Sequence, residues 1–207
     1  TLARSLGHAH TLAATFTVAA LIYQLLRERR RTQEYAEASI QLCTNHGIAQ
    51  WSAIATILRG WAMTEQEQGG VGIAQIHEGL VTHEATGGAF SQPYYLSLLA
   101  EAQAQAGQSR EGLVVLTEAI ETMNKTGERR YEAELYALKG ELLLAQESNS
   151  QQSKGKSQKS KIGTSPQPLA PNTQAAVQEA EGYFLKAIDV ARKQQAKSWE
   201  LRAATSL

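Results

Sequence analysis

Apolar residues recur along this chain at helical spacing, and the pattern repeats. From Leu98 the order is Leu98-Leu99-Ala100-Glu101-Ala102, then Gly107, then Glu111-Gly112-Leu113, then Leu116, Ala119 and Ile120. Apolar spacing of three and four on either side of a glycine predicts two amphipathic helices joined by a turn. Shifted back by 40 residues the stretch falls on Leu58, Gly60, Ala62, Gly72, Ile76, Gly79 and Leu80, and shifted forward by 40 its first half falls on Leu138, Gly140 and Leu142. Self-similarity at a fixed period marks a repeat array. The helix stops repeat independently, because Gly47, Gly87 and Gly127 each follow an apolar-periodic stretch at that same 40-residue spacing. Glycine just past a helix end takes the left-handed conformation that closes it.

These marks predict one array over 1–207, with units at about 8–47, 48–87, 88–127 and 128–195 and a partial unit at 196–207. The first unit carries Leu12, Phe16, Ala19, Ala20, Tyr23 and Leu26, is interrupted by Arg27-Glu28-Arg29-Arg30-Arg31, and resumes at Tyr35, Ala36, Ile40 and Cys43. The second runs from Trp51 through Trp61, with a turn expected at Gln68-Gly69-Gly70, and the third opens at Pro93, a residue suited to a first helical turn. From Ser148 to Gln174 almost nothing is apolar, which predicts a disordered insertion inside the fourth hairpin. A 40-residue shift of Ile120 points to 160, whereas the matching Ile188 lies 28 residues further on. Loop closure grows only logarithmically with length, so the array tolerates the insertion.

Composition narrows the function classes. Twenty Lys+Arg balance twenty Asp+Glu, so no global field draws the chain to nucleic acid or to an anionic membrane. The longest apolar run near the start, Val18 to Tyr23, is far too short to span a bilayer and follows no signal pattern, which points to the cytoplasm. The single cysteine, Cys43, fits a reducing compartment and reads as a small buried filler. The chain opens without Met and stops inside an apolar-periodic stretch, so it reads as a piece of something longer whose end repeats would self-associate.

The residues resemble the tetratricopeptide repeat, a helix-turn-helix unit with small and apolar residues in set slots. Leu99-Ala100, Ala102, Gly107, Glu111-Gly112, Leu116 and Ala119-Ile120 match those slots, as do Glu179-Ala180, Phe184 and Ala187-Ile188. The period departs, 40 rather than 34, and the closing Pro is missing. In those departures the chain is similar to the long-helix arrays at the C-terminal end of large bacterial signalling ATPases, some with an N-terminal nucleotide cyclase domain. Ala196-Lys197-Ser198-Trp199-Glu200-Leu201-Arg202-Ala203-Ala204 is similar to their closing repeat. HEAT and armadillo repeats share the period but not the Pro and Asp/Arg signatures. The resemblance implies an all-α, right-handed superhelical solenoid whose first helices line a concave groove.

Carried onto this chain, the groove positions include Trp61, Glu65, Ser97, Glu101, Gln105 and Glu141. Trp61 either anchors a partner, as aromatics at binding hot spots do, or packs between neighbouring helices. The run Arg27 to Arg31, interleaved with Glu28, reads as a solvated turn, and His77 and His83, six apart, lie on different helix faces and do not form a metal pair. No Gly-x-x-x-x-Gly-Lys loop, carboxylate pair beside a His, or nucleophile with a base is visible, and no cofactor is implied. The expectation is a non-enzymatic interaction or sensor module of a larger bacterial signalling protein, with a protein or peptide partner that includes another domain of the same chain. The alternative is a small-molecule receptor, for an oligosaccharide for example, of the kind borne by transcription regulators.

Overall fold

A computed structural model of the chain describes residues 8–64, 69–88, 90–157 and 171–207. Among them lie nine helices and no strand: α1 Ala9–Leu25, α2 Arg29–His46, α3 Ala49–Met63, α4 Gly69–Ala85, α5 Gln92–Gln105, α6 Ser109–Thr126, α7 Glu132–Ser157, α8 Pro171–Lys193 and α9 Lys197–Thr205. Consecutive helices pack as neighbours along the whole chain. The odd-numbered helices also touch one another in sequence, α1 on α3, α3 on α5, α5 on α7 and α7 on α9, while α2, α4, α6 and α8 meet only their chain neighbours. No helix among the described residues is long and apolar enough to cross a membrane.

Composition explains the division of labour. On α6 burial follows a single stripe, Ser109, Gly112, Leu116, Ala119 and Met123, as an outer amphipathic helix requires. On α5 it is continuous from Pro93 to Ala100, because that stretch is apolar or small all round and neighbours enclose it. The hairpins close on small residues. A Cβ placed on Gly72 would lie 2.6 Å from the Gly60 carbonyl oxygen, and one on Gly112 would lie 2.8 Å from that of Ala100. Those two contacts are the same slot, one period apart.

The periodic stops stand where expected, with Gly47, Gly87 and Gly127 all at positive φ, from 66° to 75°. Two expectations shift. The turn placed at Gln68-Gly69-Gly70 gives way to a helix that already begins at Gly69, with 65–68 outside the described residues. The stretch from Ser148 to Gln174, expected to be disordered throughout, is helical at both ends: α7 continues to Ser157 and α8 starts at Pro171, so only 158–170 fall outside the described residues. A nucleated helix extends at little cost per residue even through polar sequence. Here the Ser148 and Ser150 hydroxyls also donate to the Leu144 and Gln146 carbonyls at 3.0 and 2.9 Å. The fourth hairpin therefore has longer helices than the other three.

Candidate functional site

The chain leaves α1 through Arg27, a non-glycine residue at φ 62°. The turn is closed by two backbone bonds, Arg27 N–H to Gln24 O at 2.9 Å and Glu28 N–H to Tyr23 O at 2.8 Å. This paired closure is the one that usually selects glycine, and Gly107, two periods later, occupies the same slot with φ 79°. What Arg27 gains there is reach. Its Nη1 donates to both carboxylate oxygens of Glu101 on α5, at 2.6 and 2.7 Å, and its Nη2 donates to Glu134 on α7 at 2.8 Å.

Glu134 also accepts from Arg202 of α9 at 2.5 Å, and Arg202 stands 3.5 Å from the Leu25 carbonyl at the end of α1. Arg29 lies over the Trp61 ring, 4.3 Å from its centroid, while its Nη1 donates to the Trp61 carbonyl at 2.8 Å and its Nη2 to Gln105 Oε1 at 3.2 Å. Gln105 in turn donates to Glu101 at 3.1 Å. All five odd-numbered helices thus converge on a cluster of three guanidiniums facing Glu101, Glu134 and, nearby, Glu141. Burial alone would lower the Arg27 pKa, but Glu101 and then Glu134 more than offset it, so that guanidinium stays charged. The Glu141 carboxyl sits above its ordinary range because crowding by neighbours strips its hydration, an effect that the donating Ser206 hydroxyl at 3.1 Å only partly offsets.

The sequence-derived groove residues divide under this geometry. Glu101, Gln105 and Glu141 come together around one recess of about 250 Å³ between α5 and α7. Trp61 is fully buried, with the guanidiniums of Arg29 and Arg27 above its ring, so it offers no open face. Ser97 is likewise buried, its hydroxyl donating to the Tyr94 carbonyl at 2.7 Å. For Trp61 the reason is the α1–α2 turn, whose Arg27 and Arg29 cover the face of α3 that a bare hairpin would expose. Glu65 lies outside the described residues.

Sequence reasoning missed Arg27, Arg29, Glu134 and Arg202. Reading Arg27 to Arg31 as a solvated turn holds for Arg30 and Arg31, which pair with Glu34 at the surface, and fails for Arg27 and Arg29, which turn inward. The available signal was an arginine in the register of Gly107. Chemically the cluster is a network of ion pairs that ties the end of α1 to α5, α7 and α9. Among the described residues no group of three or more His, Cys, Asp and Glu is placed to hold a metal, and the buried Cys43 thiol is pushed up by desolvation. No family model matches the sequence, and no curated protein matches it.

Proposed function

We propose that the chain is a tetratricopeptide-like interaction module of a larger bacterial signalling protein, in the cytoplasm, that binds a protein or peptide partner on its odd-numbered helices. Another domain of the same protein is included among such partners. The observation that carries this reading is the convergence of the odd-numbered helices on the Arg27–Glu101–Glu134–Arg202 cluster. Contacts along the odd-numbered helices, without any among the even-numbered ones, are what a curved stack with the odd helices inside would produce, which supports a solenoid; its right hand rests on the tetratricopeptide resemblance. Pre-paired charges hold their geometry before a partner arrives, so binding there costs little ordering entropy. Exposed Val18 and Ile22 on α1 and Leu26 just past its end, spaced four apart, support self-association as an additional contact of the same module.

The test is a photo-crosslinking amino acid at Gln105, exposed beside Glu101, with one at Glu118 on α6 as the outer-face control, in the full-length protein in cells. A discrete protein adduct or intramolecular crosslink from position 105 and none from 118 is the expected result. Equal yields from both positions, or none from either, would overturn the reading. A small-molecule receptor is the second reading, favoured by a separate cavity on the same helices.

A further inference from the structure

A cavity of about 570 Å³ lies between α1, α3, the end of α4 and the turn after it, the start of α5 and the two residues that precede α7. That volume is within the range of small-molecule sites and far above a packing defect. Its walls include Leu21, Ile54, Tyr95 and Tyr131, and it opens beside Val18 and Phe90, which are 46% and 64% exposed. Aliphatic walls and two phenol rings favour a flat, apolar body.

Two polar groups mark this lining. His83 is 1% exposed, and its Nε2 stands 3.3 Å from the Phe90 carbonyl, an acceptor that requires Nε2 to carry the proton. Nδ1 is then a bare buried acceptor, and it has no hydrogen-bond partner. The ring keeps its place in the wall because residue 88 is glycine: a Cβ there would lie 2.4 Å from Nδ1. At the rim, Arg130 lies 5.4 Å from the Phe90 ring centroid and is partnered by the Tyr131 side chain, but makes no ion pair among the described residues, unlike Arg27, Arg129 and Arg202. The nearby carboxylate of Glu128 accepts the Ser91 N–H, at 3.1 and 3.0 Å, and its charge acts on Tyr95 and Tyr131.

We propose that this cavity is a binding site for a small aromatic anion. The ring system fills the space between Leu21, Ile54 and the two tyrosines, and the anionic group meets Arg130. The site is distinct from the Arg27 cluster and does not depend on the partner-binding reading.

A matched pair of fluorescent probes tests it on the 207-residue chain. Anilinonaphthalene sulfonate carries a fused ring, an N–H and a sulfonate, whereas phenylnaphthylamine is the same molecule without the sulfonate. The sulfonate is expected to bind saturably at one site per chain. Arg130→Gln, at an exposed position, should weaken it about tenfold while leaving the neutral probe within twofold. Val18→Trp, which fills the mouth from a partly exposed position, should abolish binding of both, with helical circular dichroism unchanged in each variant. Non-saturating binding, retention of either probe by the Val18→Trp variant, or an Arg130→Gln variant that affects both probes alike or neither, would overturn the proposal.

Discussion

Arg27 spends backbone strain to make side-chain contacts. A non-glycine residue in the left-handed region costs about 1–2 kcal/mol, and here the return is a fork on Glu101 plus a bond to Glu134. Both carboxylates are largely buried, at 14% and 13% side-chain exposure, against 36% for Arg27, so the pairs fall between surface and buried cases. Two substitutions separate the terms. Arg27→Ala keeps the strain and loses the pairs, for an expected loss of about 2–3 kcal/mol. Arg27→Gly loses the same pairs but relieves the backbone, so it should be the more stable of the two by about 1 kcal/mol. Urea denaturation of both variants checks the order, and an alanine variant as stable as the glycine one would remove strain from the account. None of this was readable from residue types alone, since an arginine in a basic run is normally solvated. Only its register with Gly107 marked it.

At the scale of the element, the hairpins were legible because close helix approach needs small residues at fixed places. Gly60 against Gly72 and Ala100 against Gly112 are one contact repeated, and both show in the 40-residue self-match. The polar ends of α7 and α8 were not legible, because helix propagation from a packed core leaves no apolar signature. This geometry gives opposite signs for one substitution. Gly60→Ala would set a methyl 2.7 Å from the Gly72 carbonyl oxygen and 2.9 Å from the Ile76 nitrogen, both backbone atoms that cannot step aside, so it should destabilise by about 2–4 kcal/mol despite alanine's better helix propensity. Gly182, inside α8, has nothing within 4 Å of an added methyl, so Gly182→Ala should stabilise by about 0.5–1 kcal/mol. Thermal unfolding followed at 222 nm measures both, and a matching sign for the pair would contradict the close approach.

Across the whole molecule, contacts between distant units were beyond the reach of the repeat pattern, which dictates how neighbouring helices pack and says nothing of side chains that cross several units. The aromatic path through the core is one such feature: Tyr94 stacks on Tyr131 with centroids 4.1 Å apart, Tyr131 meets Trp199 at 5.8 Å, and Tyr95 meets His83 edge-on at 5.2 Å, joining α4, α5, α9 and the turn before α7. Desolvation raises the phenol pKa of Tyr94, Tyr95 and Tyr131 above the ordinary value of 10.0, and the mutual proximity of the rings adds to this for Tyr94 and Tyr95. The native chain therefore holds these three protons at a pH where the unfolded chain releases them. The contribution is constant while both states stay protonated, then falls as pH rises past about 10, with a slope of up to about 1.4 kcal/mol per pH unit for each phenol. Alkaline titration should show phenolate absorbance at 295 nm from these residues rising together with loss of helical circular dichroism. Tyr94→Phe, which removes one such phenol and its bond to Gln24, should flatten the stability-versus-pH slope above pH 10 by up to about 1.4 kcal/mol per unit. Phenolate formation at all three positions with the helical signal intact would mean that the stack admits water, and the link between this core and alkaline stability would fail.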